Sequence, residues 1–68
     1  MESLIRSERE VRGWTQAMLA EQLNVSRQTI VAIETGKYDP SLPLAFRISS
    51  LFGKPIEGLF FPETTPSR

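Results

Sequence analysis

The sequence predicts an all-α domain of five short helices, and three observations carry that expectation. Apolar residues recur three and four positions apart, the spacing of one helix face. Ser or Thr stands just before these stretches, where its hydroxyl can accept from an unpaired first-turn N–H. Glycine, or once asparagine, stands just after them, where a left-handed residue ends a helix.

The first helix is expected over residues 3–12, with Gly13 as its stop. Its pattern is the poorest in the chain: Leu4, Ile5 and Val11 are apolar, but Glu8 interrupts the stripe. Glu8 either tilts to the surface, with Leu4 or Val11 filling the gap, or pairs with Arg12 four residues on. The surface position is preferred, because an unpaired buried carboxylate costs too much. Trp14 is expected to cap the core between the first two helices.

Residues 15–36 read as two short helices joined by a tight turn. Thr15 caps the first of them, and Leu19, Ala20 and Leu23 form its buried stripe. Asn24 takes the turn, since it tolerates positive φ better than other non-glycine residues. Val25 points back into the angle between the helices. Ser26 caps the next helix, Ile30 and Ile33 face inward, and Gly36 closes it. That leaves Arg27, Gln28, Thr29 and Ala32 on the outer face. Arg pairs with guanine edges and Gln with adenine edges through paired hydrogen bonds, and such readers sit at a helix N-terminus. Gln16 opens the earlier helix, where the positive end of the dipole and the side-chain amide can meet a phosphate.

Beyond Gly36, Asp39-Pro40 favours a turn, and Ser41 can cap a fourth helix that carries Pro43 in its first turn. That helix is expected over residues 42–52, with Leu44, Ala45, Ile48, Leu51 and Phe52 on one side and Gly53 at its end. A short fifth helix is expected over residues 55–60, weakened by Gly58. The run Ile56, Leu59, Phe60 and Phe61 is more apolar than the end of so small a domain needs. One helical face cannot bury both Phe60 and Phe61, so either the run is a dimer seam or Phe61 folds back over its own core. The dimer seam is preferred. One domain over residues 1–63 and a flexible tail over 64–68 complete the expected organisation.

The chain resembles the Cro/repressor-type (Xre-like) helix-turn-helix family. The resemblance rests on Thr15-Gln16, Leu19-Ala20, Asn24-Val25, Ser26-Arg27-Gln28-Thr29-Ile30 and Ile33-Glu34-Thr35-Gly36-Lys37. It continues through Tyr38, Asp39-Pro40-Ser41-Leu42 and Leu59-Phe60, and so covers residues 5–63. It implies a five-helix, lambda-repressor-like fold in which the third helix reads double-stranded DNA. It also implies that Arg9 pairs with Glu34, tying the first helix to the third, and that the C-terminal helix supplies the dimer contact. Glu8 departs from the family's pattern, which has Leu there. The DNA-binding set expected from residues and resemblance together is Gln16, Ser26, Arg27, Gln28, Thr29, Ala32, Lys37 and Tyr38. Of these, Lys37 and Tyr38 would hold the DNA backbone next to the bases. The homodimer seam expected is Ile56, Leu59, Phe60 and Phe61.

Composition narrows the function classes. With 68 residues there is room for one domain, whose small core makes oligomerisation a common remedy. The chain has no Cys and no His, so neither a disulfide, a metal centre, a cofactor nor an enzyme is expected. The start of the chain is charged and unlike a signal peptide, and no apolar run reaches membrane-spanning length, so a cytoplasmic protein is expected. Eight basic and eight acidic residues balance, which argues against binding by bulk positive charge. Arg27 and Lys37 nevertheless flank the outer helix, whereas Glu2, Glu57 and Glu63 lie near the termini. The expected function is a sequence-specific transcriptional regulator, a dimeric repressor on an inverted-repeat operator. The rival is an antitoxin-like module that binds an unknown protein partner and autoregulates its operon.

Overall fold

The computed structural model of the chain describes residues 1–62, so the expected tail and the domain end at residue 63 lie outside it. Four α-helices carry the fold: α1 (Ile5–Val11), α2 (Gln16–Leu23), α3 (Arg27–Glu34) and α4 (Leu42–Phe52). A 3-10 turn at Ile56–Gly58 follows. Two-residue strands, β1 (Glu2–Ser3) and β2 (Phe60–Phe61), pair antiparallel with Glu2 opposite Phe61 and Ser3 opposite Phe60. The architecture is all-α with this one small ribbon.

The helix ends follow local chemistry. Thr15 Oγ1 accepts from the Met18 N–H (3.0 Å), Ser26 Oγ from Thr29 (3.1 Å) and Ser41 Oγ from Leu44 (3.3 Å). Asn24 closes α2 in the left-handed region, with φ 60° and ψ 44°, and the Val25 N–H reaches back to the Ala20 carbonyl at 3.0 Å. Gly36 also has positive φ, at 79°, and a Cβ added there would stand 3.4 Å from the Met1 carbonyl oxygen. That distance is an ordinary contact, so it is the backbone conformation that suits glycine at this position.

Ile5, Leu19, Leu23, Ile30, Ile33, Ile48 and Phe52 form one core with Ala20, Leu44, Ala45, Leu59 and Phe60. Trp14, Val25, Leu51 and Ile56 pack against it from partly buried positions.

Three expectations are corrected. Residue 3 belongs to β1 and α1 begins at Ile5, because the N-terminal backbone has a partner: the Leu4 N–H donates to the Leu59 carbonyl at 2.9 Å. The fifth helix over 55–60 is replaced by the 3-10 turn and β2. Alternation along β2 then turns Phe60 inward, 6% exposed, and Phe61 outward, 38% exposed. Glu8 is the third correction, since it is buried. Arg12 Nη1 donates to one of its oxygens at 2.8 Å and Lys54 Nζ to the other at 2.6 Å. The carboxylate is therefore paired, and the cost that argued for the surface does not arise. Neither Leu4 nor Val11 fills the gap, and Val11 is 84% exposed. Arg12 also lies over the Phe52 ring, 4.7 Å from its centroid, while Phe52 stacks on Trp14 at 6.0 Å.

Candidate nucleic-acid interface

Ile30 and Ile33 point α3 into the core, and each residue turns the helix by about 100°. Gln28, Val31, Ala32 and Thr35 therefore lie on the opposite side, with Arg27 at its edge. Arg27, Gln28 and Thr35 are exposed, and Val31 and Ala32 are partly so. Arg27 and Gln28 occupy the first turn, where their donors and acceptors face away from the protein and can meet base edges.

The hydroxyls of this helix are less available than its composition suggests. Ser26 Oγ, besides capping Thr29, shares a 2.9 Å hydrogen bond with Thr29 Oγ1. Thr35 Oγ1 lies 2.9 Å from the Val31 carbonyl and 3.2 Å from that of Ala32, so its proton is directed to the helix's own backbone.

Behind α3, Arg9 donates to Glu34 through Nε at 2.7 Å and Nη2 at 3.2 Å, a two-pronged pair. Arg9 Nη1 donates to the Trp14 carbonyl at 2.8 Å. Glu34 holds the Arg9 guanidinium more firmly protonated than usual, an effect that outweighs burial. Gln16 Nε2 adds a third donor to Glu34, at 3.2 Å from Oε1. Residues from α1, α2 and α3 thus meet at one carboxylate, and Gln16, expected at a phosphate, has one amide hydrogen held there. Lys37 and Tyr38 are exposed in the loop after α3.

The expected seam residues separate. Leu59 is fully buried and Phe60 nearly so, both within this chain's own core, and they are withdrawn from the seam. Ile56 is partly buried and Phe61 faces outward. Sequence reasoning missed Val31 and Thr35 on the outer face, although the period that marks Gln28 and Ala32 marks them too. It also missed the exposed Leu42 and Phe46, one turn apart on α4. Among the described residues, no cluster of carboxylates is arranged to hold a metal ion, and no helix is long and apolar enough to cross a membrane.

A family model for the helix-turn-helix matches residues 5–59. The chain belongs to the helix-turn-helix family. Its branch is the Xre-type, DNA-binding one of transcriptional regulators. It is 52% identical over 63 residues to an uncharacterized HTH-type transcriptional regulator of Methanocaldococcus jannaschii, covering 93% of this chain and 96% of the relative. A second such protein, from Methanothermobacter thermautotrophicus, is 51% identical over 61 residues and covers 88% of each chain. Among solved structures, a hypothetical transcription factor NHTF from Neisseria superposes with a TM-score of 0.74 at 25% identity. That match covers 87% of this chain and 66% of the Neisseria chain, so this protein spans about two thirds of its length. In helix-turn-helix terms, α2 and α3 form the motif, Asn24 is its turn and α3 its outward second helix.

Proposed function

We propose that this helix-turn-helix protein is a dimeric, cytoplasmic repressor that reads an inverted-repeat operator through the major groove and acts by binding, not catalysis. One observation carries the reading: α3 presents Arg27 and Gln28 on its open first turn while Glu34, at its far end, is pinned by Arg9 and Gln16. A reading helix needs both, exposed donors and a fixed angle. Lys37 and Tyr38 then lie where contacts to phosphate would set the register.

Selection of bound sites from a random double-stranded DNA pool tests this. The selected sites should be inverted repeats with half-site centres about one helical turn apart, roughly 34 Å. Arg27→Ala and Gln28→Ala should each cost roughly 1–3 kcal/mol on that site and relax preference at particular base pairs. Lys37→Ala should weaken all sites alike and flatten the salt dependence. Equal binding by all three variants and the parent would remove this face as the reader.

A second reading, an antitoxin-like module, draws on the exposed Leu42 and Phe46 of α4, an apolar pair suited to a protein partner. Co-purification of one protein in stoichiometric amount, lost in Phe46→Glu, would favour it.

A further inference from the structure

The α4 helix carries one charge, Arg47, and leaves two large apolar side chains in water. Leu42 is 64% exposed and Phe46 56%, one turn apart on the same stripe. Beside Phe46 an open groove of about 450 Å3 runs between α4 and the end of α2, lined by Gln22, Leu23, Phe46, Arg47, Ser50 and Leu51. No carboxylate lines it, and Glu21, the one charged residue of α2, stays outside it. Arg47 Nη2 donates to the Leu23 carbonyl at 3.3 Å, which holds the guanidinium at the groove. The basic side chains sort by partner. Arg6, Arg9, Arg12 and Lys54 each meet a carboxylate. Among the described residues, Arg27, Lys37 and Arg47 do not. Arg27 and Lys37 belong to the proposed DNA face, which leaves Arg47 beside two apolar side chains that the core does not use.

We propose that this face of α4 docks an acidic, amphipathic segment of a partner protein, with Leu42 and Phe46 meeting its apolar side chains and Arg47 its carboxylate. Charge complementarity selects the occupant: a cation without a carboxylate, next to exposed hydrocarbon, favours a partner that brings both missing groups. The groove is too open to enclose a small molecule, whereas a helix laid along it covers the apolar stripe. A second copy meeting the same face by two-fold symmetry would bring another Arg47 and no carboxylate from the groove. This rests on the second reading, in which α4 meets a protein, and adds the partner's chemistry to it. DNA reading by α3 stands apart from it.

Selection from a random peptide library displayed on phage, with the full chain as bait, tests this. The selected peptides should combine Asp or Glu with Leu, Phe or Trp at helical spacing. A synthetic copy of one, followed by fluorescence anisotropy, should lose about tenfold or more in affinity for Phe46→Ser and for Arg47→Glu. Affinity for Arg47→Glu should return when the peptide's acidic residues are changed to Lys, a recovery that lost packing alone does not give. Arg47→Gln can still donate to the Leu23 carbonyl and should show the same loss if Arg47→Glu does not fold; circular dichroism checks folding. Peptides without acidic residues, or binding indifferent to Arg47, would overturn the assignment and leave the second reading in place. A library that yields no peptide would overturn the assignment, and the absence of a co-purifying partner would remove the second reading with it. Phe46→Ser turning a dimeric parent into monomers would give the face to a second copy. Arg47→Gln weakening operator binding as Lys37→Ala does would give Arg47 to the DNA. Either result would overturn the assignment.

Discussion

Glu34 has two oxygens and receives three donors, two from Arg9 and one from Gln16. Both ionic side chains are nearly buried, so each has little water to compensate for the loss of the other. Removing one partner from such a pair leaves a desolvated charge, typically at a cost of about 3–5 kcal/mol, whereas removing both does not. Arg9→Ala and Glu34→Ala should each destabilise the fold by about that amount, and the double variant should lose clearly less than the sum. Chemical denaturation of the four proteins measures this. Additive losses would show that the two residues do not act as a pair, and α3 would then owe its angle to the packing of Ile30 and Ile33 alone.

Among the elements, the join between α1 and the end of α4 is ionic, where the sequence resemblance implied an apolar residue at position 8. Lys54 and then Arg12, by hydrogen bonding, lower the pKa of Glu8 from its ordinary value of 4.5, although burial opposes them. A carboxylate depressed on folding stabilises fully above its unfolded pKa, and that contribution is lost as pH falls through the folded value. Glu8→Gln should therefore be less stable than the parent at neutral pH, by about 1 kcal/mol. The gap should begin to close as pH falls below the ordinary value of about 4.5, and be gone only below the lowered folded value, where the folded parent carries a neutral side chain too. Thermal melts of both proteins at neutral pH and near pH 3 read the difference directly. A gap that stays constant with pH would mean the charge of Glu8 contributes nothing.

For the whole molecule, the proposed function makes affinity for DNA depend on assembly. A chain with no net charge gains little from general attraction to phosphate, and one reading helix spans few base pairs. In the proposed dimer, two copies would double the contacts and impose the spacing of successive major grooves. With Leu59 and Phe60 inside the core, the proposed seam narrows to Ile56 and Phe61. Phe61 projects from β2 away from the core, so Phe61→Glu should leave the domain folded. It should yield monomers that bind the operator weakly, although no side chain at the DNA face has changed. Light scattering and operator titration check both parts. A parent that is monomeric at micromolar concentrations and still binds tightly would exclude the seam.

Much of this molecule is determined within a few residues of chain. The caps at Thr15, Ser26 and Ser41, the left-handed closure at Asn24 and the inward pairs Leu19 with Leu23 and Ile30 with Ile33 all depend on neighbours one turn away. Helix chemistry has that range, so α2, the turn, α3 and the outward position of Arg27 and Gln28 were legible in the sequence. Contacts between distant residues decided the rest. A two-residue strand has almost no propensity of its own, and β1 exists because Phe60 and Phe61 arrive beside it. The same pairing replaces the fifth helix and sends Phe60 and Phe61 to opposite sides. Glu8 is buried because Lys54, 46 positions away, reaches its second oxygen, and Gln16 is held because Glu34 lies beside it once α1, α2 and α3 have packed. A local pattern can show that a carboxylate or an amide stands on a given face, but the partner that settles its role comes only with the fold.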